Sequence, residues 1–182
     1  MDNNILLWDP KTGEQIGKPL TGHKKYVTSL SWEPLMHMKR EKRFASSSKD
    51  GTVRVWSAYN NTLLLTLGGH TSSVAKVLWG GEGLIYSASQ DRTIKVWDAN
   101  NGMCVHDLKG HAHWVNSLAL STDYVLRTGC YDHTQKDFLS IVDEEERLKA
   151  MKAYSVERYE KARDPKGEIL VSGSDDLTMF MW

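Results

Sequence analysis

Apolar residues in this chain come in short runs that alternate with polar ones, and the runs recur. After Val27 the apolar positions are Leu30 and Trp32; after Val74 they are Val77 and Trp79; after Val115 they are Leu118 and Leu120. Alternation with period two marks a strand with one buried face. Each run starts four residues past the His of a Gly-His pair, at Gly22-His23, Gly69-His70 and Gly110-His111, in steps of 47 and 41 residues. A second unit closes each segment. Asp2, Asp50, Asp91 and Asp176 each stand six residues ahead of a tryptophan, at Trp8, Trp56, Trp97 and Trp182. The stretches between are short and β-prone and open at a turn. Serines gather just upstream, at Ser46, Ser47 and Ser48, at Ser87 and Ser89, and at Ser172 and Ser174.

Four copies of one spacing predict repeated antiparallel units. Strands are expected near 5–8 and 15–20, near 26–32, 43–48, 52–57 and 61–67, near 73–79, 84–89, 93–98 and 102–108, and near 114–120, 168–174 and 177–182. The units are therefore 1–20 (the last two strands of an incomplete one), 21–67, 68–108, and 109–182, whose outer strand is missing. The fourth unit is too long. From His to Trp it runs 71 residues, against 33 and 27 in the two units before it. The excess predicts an insertion at about 131–167. Within it Asp143 and Glu146 are spaced as a capping box, and Arg158, Lys161 and Arg163 close a helix whose dipole they suit. Leu148, Met151, Tyr154 and Tyr159 give that helix an irregular apolar face, and Asp164-Pro165-Lys166-Gly167 stops it. Residues 124–129 read either as a strand or as the start of the insertion.

The chain has 182 residues, 40% apolar and 25% charged, enough for one domain with a core. Lysine plus arginine and aspartate plus glutamate both number 23, which excludes a strongly basic nucleic-acid binder at the level of the whole chain. The two cysteines, Cys104 and Cys130, form no CxxC pair, so neither a disulfide framework nor a cysteine zinc module is expected, and the reading is a reducing, intracellular compartment. No run of about 18 apolar residues is present, so no membrane span is expected.

Sets of Ser, His and Asp invite a hydrolase reading. They recur in step with a tryptophan, whereas a catalytic triad is built once, and no Gly-x-Ser-x-Gly elbow accompanies them. No catalytic residue is assigned. His106, His111 and His113 lie close together without a completing Cys or acidic pattern, and Met36-His37-Met38 falls in a loop; no metal ligand and no cofactor is assigned. Lys39, Arg40, Lys42 and Arg43 form the densest basic run and are candidate contacts to RNA phosphates.

The Gly-His pair, the Ser-rich strand, the Asp and the Trp, with a further Asp in Trp8-Asp9 and Trp97-Asp98, resemble the WD repeat. The resemblance implies an all-β fold, a β-propeller of four-stranded blades set around a channel. Three to four blades of a probable eight are present, the last with the charged helical insertion. It also implies a hydrogen-bonded chain in each blade: His23, Ser46 or Ser48, Asp50 and Trp56; His70, Ser87 or Ser89, Asp91 and Trp97; and His111, Asp176 and Trp182. The family exposes residues around one mouth of the channel, where Lys25, Tyr26, Lys49, Ser73, Gln90, Arg92, His113, Trp114 and Asp175 fall. These are candidates for a partner-binding face.

The stretch from Trp114 to Gly129, the charged insertion, and the ending from Val171 to Trp182 closely resemble one blade of the Notchless family. That likeness implies a non-catalytic scaffold acting in assembly of the large (60S) ribosomal subunit. Its partners would be pre-ribosomal particles, with their ribosomal proteins, assembly factors and rRNA, in the nucleolus and nucleus. A generic WD adaptor, reading a peptide or degron for a ubiquitin ligase, is the alternative. In the Notchless family a separate ubiquitin-like domain engages a midasin-type ATPase. No such domain is legible here, so no contact with that ATPase is expected of this chain. A chain that starts inside one blade and stops inside another leaves two apolar faces bare. It is expected either to belong to a longer protein or to associate with itself, two copies completing a ring of eight.

Overall fold

A computed structural model describes residues 3–38, 42–134 and 136–182. Its eleven strands form three antiparallel sheets. The first holds β1 (Val27–Trp32), β2 (Arg43–Ser48), β3 (Thr52–Ser57) and β4 (Thr62–Gly68) in chain order. The second repeats that order with β5 (Val74–Trp79), β6 (Leu84–Ser89), β7 (Thr93–Asp98) and β8 (Cys104–Lys109). The third has β9 (Val115–Leu120), β10 (Leu170–Ser174) and β11 (Met179–Met181), with β10 central. The chain is thus a partial β-propeller. Ahead of β1 the expected hairpin is present only as the paired residues Ile5 with Leu20 and Trp8 with Gln15. Asp2 lies outside the described residues.

Sheet packs on sheet. Ala45, Val53, Val55 and Leu67 of the first meet Val74, Val77, Trp79 and Ile85 of the second in one apolar layer. Tyr86, Ala88, Ile94 and Val96 on the second sheet's other face meet Val115, Leu118, Leu120 and Leu170 of the third. Middle strands are covered on both faces, so β2 and β6 are buried almost throughout and carry Ala and Ser where a one-faced strand would alternate. The outer strands β4 and β8 are mostly exposed.

Consecutive antiparallel strands sort the connections into two ends. The β2–β3, β6–β7 and β10–β11 turns share one end with the Gly-His pairs. The β1–β2, β5–β6 and β9–β10 connections share the other. The insertion lies in the β9–β10 connection and is longer than expected. It opens at α1 (Asp123–Thr128), ahead of residue 131, and residues 124–128 are helical rather than extended, with Gly129 as the C-cap. The β-prone sequence yields because the helix buries Val125 and packs Leu126 against the third sheet's core. Its last N–H, from Gly129 in the left-handed region, bonds to Val125 O, and a side chain at Gly129 would press on Leu35.

Helix α2 (Glu144–Ala162) is capped by Asp143, whose carboxylate accepts from the backbone N–H of Glu145 and Glu146. It packs on the β5–β6 connection of the second sheet. Tyr159 is buried against Gly81, where a Cβ would come within 2.2 Å of the ring. Arg163 pairs with Glu82 at 3.2 Å. Glu168, just beyond the helix, accepts from Gly81 N and from the Thr122 hydroxyl. The far side of α2 reaches the short 3-10 turn Leu35–His37 in the β1–β2 connection of the first sheet. His37 closes the contact through a hydrogen bond to Gly81 O. One insertion in the third sheet therefore touches all three.

Tyr159→Ala empties a space that backbone at Gly81 cannot fill. It is expected to cost about 3 kcal/mol in urea unfolding, with Tyr131→Ala, at an exposed ring of the same insertion, within about 0.5 kcal/mol of the parent. Equal effects of the two would show that α2 does not bear on the sheets.

Candidate functional site

Trp56, Trp97 and Trp182 occupy the same place in successive sheets, and each starts the same hydrogen-bond chain. The indole Nε1–H donates to Ser46, Ser87 or Ser172 at 2.8, 2.8 and 2.9 Å. That serine meets Nε2 of His23, His70 or His111 at 2.7, 2.8 and 2.8 Å. The histidine's Nδ1 meets the carboxylate of Asp50, Asp91 or Asp176 at 3.0, 2.8 and 2.9 Å. An indole can only donate and a carboxylate can only accept, so the chain has one direction. The serine hydroxyl donates to Nε2, and the imidazole carries its proton on Nδ1.

The spacing leaves two serines open in the blades of Trp56 and Trp97, and the structure separates them and divides Ser172 and Ser174 in the same way. The first (46, 87, 172) joins the chain. The second (Ser48, Ser89, Ser174) accepts from the backbone N–H of the aspartate and fixes its turn. The aspartate's other oxygen takes both the hydroxyl and the N–H of Thr52, Thr93 or Thr178. The glycine ahead of each histidine lies against the indole edge: a Cβ at Gly22, Gly69 or Gly110 would stand 3.4, 3.3 or 3.2 Å from Cη2 of the tryptophan. The Gly-His pair is thus a close approach followed by the chain's third member.

These distances are those of a catalytic triad, but Ser46, Ser87 and Ser172 are fully buried and already hold an indole N–H. No substrate reaches them. Among the described residues no group of three or more His, Cys, Asp and Glu side chains stands where it would hold a metal ion. No helix is long and apolar enough to cross a membrane among those residues. Cys104 is exposed, Cys130 is buried, and both are free.

The candidate face lies at the Gly-His end. One backbone bond recurs there: Lys49, Gln90 and Asp175 donate their N–H to the carbonyls of Tyr26, Ser73 and Trp114. The three pairs are thus set alike, but Ser73 is a correction: it is buried and offers no side chain to a partner, and Gln90 is half-buried. The Lys49 ammonium lies 5.2 Å from the centre of the Tyr26 ring. Trp114 is 45% exposed and leans on His113 at 5.2 Å between ring centres, so it is not a core residue. Asp175 accepts from Asn116 and faces His113 at 3.8 Å. Lys25 and Arg92 are exposed at the same end.

The pattern reading missed Leu177. It is 97% exposed with φ +64, in the turn position that Gly51 and Arg92 fill in the other sheets. A leucine where the repeats carry Gly and Arg was the available signal.

Of the basic run, Lys42 and Arg43 are described, and they sit at the opposite end. Lys39 and Arg40 lie outside the described residues, and Lys42 is exposed. Arg43 is a correction. Its guanidinium donates to both oxygens of the buried Glu33 and to Ala99 O, and lies 5.4 Å from the Trp79 ring centre. It ties the first sheet to the second and does not face solvent as a phosphate contact would.

The WD domain, G-beta repeat model matches residues 13–57, 61–98 and 102–134. The third match ends within the insertion, ahead of β10. The chain is 46% identical over 177 residues to Protein Notchless of Drosophila melanogaster, covering 95% of the chain and 35% of that protein. It is 51% identical over 178 residues to the Notchless protein homolog of Arabidopsis thaliana, covering 98% and 36%. Over 177 residues it is 51% identical to Ribosome assembly protein 4 of Saccharomyces cerevisiae, covering 96% and 34%. The chain spans about a third of the length of these curated relatives.

Ser87→Ala strands an indole N–H and an imidazole nitrogen in the core. It is expected to cost about 3 kcal/mol in urea unfolding. Ser140→Ala, at an exposed loop serine, is expected within about 0.5 kcal/mol of the parent. Equal stabilities would show that the chain carries no strength.

Acid acts on the same chain. Burial pushes the imidazoles of His23 and His70 below 6.5, and their aspartate partners offset this only in part. Burial alone would raise the Asp91 carboxyl, but the Thr93 hydroxyl and His70 outweigh it and hold it at about 2. At Asp50 burial is likewise outweighed, by Thr52 and Lys24 N–H, and at Asp176 the Thr178 hydroxyl leads; both are lowered. All these folded values lie below the unfolded ones, so the stability is present above the unfolded value and lost as pH falls through the folded one. The urea midpoint is expected to drop in a first window, as the pH falls below about 6.5, and again below about pH 4. A flat profile across the first window would refute the histidine contribution.

Proposed function

We propose, from the premise that this chain belongs to the WD-repeat family, that it is a non-catalytic scaffold of ribosome biogenesis. Its blades dock on precursors of the large (60S) subunit in the nucleolus and nucleus. The observation that carries this reading is the identity of 46–51% with proteins named Notchless and Ribosome assembly protein 4, over at least 95% of the chain and so through the charged insertion as well. A WD fold alone would support only some interaction role.

The division of the two ends supports a mechanism. At one end the insertion and the 3-10 turn of the first sheet already cover the sheets. At the other, Tyr26, Lys49, Trp114, Asp175 and Leu177 stand on rigid turns with their surfaces available. Aromatic and charged side chains on a preorganised frame bind a protein surface with little ordering cost. We assign that end to a protein component of the particle. Lys42, at the opposite end, together with Lys39 and Arg40 close by in sequence, is left as the contact to rRNA phosphates. A midasin-type ATPase would be engaged through a ubiquitin-like domain, not through these blades.

In gradient sedimentation, a tagged full-length protein carrying this chain is expected to travel with 60S precursors. The double variant Trp114→Ala, Leu177→Ser is expected to shift at least about fivefold more of it to the free fractions, with unchanged urea stability. Wild-type protein that stays free, or that recovers ubiquitin-ligase subunits and no ribosomal proteins, would overturn the reading in favour of a degron adaptor.

A further inference from the structure

Four serine and threonine residues of the chain stand three positions ahead of a carboxylate: Ser47, Thr134, Ser140 and Ser172. That spacing is what an acid-directed protein kinase reads. Basic side chains in its peptide groove hold the carboxylate and so set the hydroxyl against the phosphoryl donor. The structure divides the four. Ser47 and Ser172 are fully buried, and Ser172 is held by His111 and Trp182 as well. Thr134 donates its hydroxyl to Asp132, and after Asp137 its sequence turns apolar, to Phe138 and Leu139.

Ser140 differs on each count. It is exposed, and three positions on begins the unbroken acidic run Asp143, Glu144, Glu145 and Glu146. Its hydroxyl meets only the carbonyl of Asp137, at 3.1 Å, in a water-exposed turn. Residues 139–143 belong to no helix or strand. The flanking Leu139 and Val142 are 81% and 96% exposed, so drawing this segment into an extended conformation removes neither from the core. What must open is the turn itself, in which Leu139 and Ser140 N–H donate to the Asp137 carboxylate. Such exposed bonds exchange readily for water.

We propose that Ser140 is a phosphorylation site for an acid-directed serine kinase, independently of which complex the blades serve. Ser140 Oγ attacks the γ-phosphorus of Mg-bound ATP. The new P–O bond forms as the bond from the γ-phosphorus to the β–γ bridging oxygen breaks. ADP leaves with that electron pair, and the hydroxyl proton passes to the kinase's base. The product carries close to two negative charges beside Asp137 and ahead of four further carboxylates. Like-charge repulsion then loosens the Asp137 turn and frees the apolar flank of Leu139 and Val142.

The test uses the whole folded chain with casein kinase 2, an acid-directed enzyme, and Mg-ATP, read by peptide mass spectrometry. One phosphate on Ser140 is expected, and none at that peptide in Ser140→Ala. Asp143→Asn keeps an oxygen to cap α2 while removing the charge, and is expected to slow incorporation about tenfold with an unchanged circular dichroism spectrum. In the phosphorylated chain, amide exchange at residues 139–141 is expected to quicken, while Ser155 and Tyr159 keep the protection of the parent. Phosphate on another residue, no phosphate, or equal rates in Asp143→Asn would overturn the site. Unchanged exchange at 139–141 would overturn the loosening of the turn.

Discussion

The chain from indole to carboxylate is the constraint on which the three sheets depend. Each middle strand is covered on both faces, so a serine there has no water to turn to and must be paired within the protein. The indole pairs it from one side and the imidazole from the other, and the aspartate closes the chain while holding the turn that follows. Polar groups that would each destabilise the core alone stabilise it together. Their direction also sets the register between the Gly-His approach and the Trp strand, two segments that no local propensity would bring together.

With the blades fixed in this way, the two ends of the strands become different surfaces. At one end every turn is short and repeats with one backbone bond. Variation is confined to side chains, and Tyr26, Ser73 and Trp114 differ while their backbones agree. At the other end variation is in the backbone itself, from the four-residue connection at 80–83 to the helical insertion. Conformity at one end and elaboration at the other is how one repeat carries a particular surface without losing its frame.

The repeat was legible in the sequence because it is written twice, in spacing and in residue type. In the three sheets, strand positions read from Gly-His and Asp-to-Trp spacing fall within about two residues of the strands observed, whereas residues 5–8 and 15–20 form isolated bridges instead of strands. Residues 124–129 were not settled, because Val125 and Leu126 suit a strand as well as a helix and the choice is made by packing on a core whose members include Tyr86, Ile94 and Leu170, far off in sequence. Arg43 misled for a related reason. A basic run reads as solvated by composition, whereas its partner Glu33 stands across the β1–β2 connection, and Trp79, on which it lies, belongs to another sheet. Leu177 was passed over because attention to a repeat favours what recurs, and its interest is that it departs.

The long β9–β10 connection has a consequence for how the molecule comes to be folded. In the second sheet the first two strands are joined by four residues, at 80–83; in the third, 49 residues separate them, at 121–169. Loop-closure entropy alone makes the third pairing harder by about 2 kcal/mol. On a nascent chain β9 emerges long before β10, so the first two sheets are complete while β9 has no partner of its own. Docking of α2 on the loop at Gly81 shortens that wait, since it tethers the start of β10 to a surface already in place. The helix that ties the finished sheets together is thus also a guide for the last of them, and the order of synthesis becomes the order of assembly.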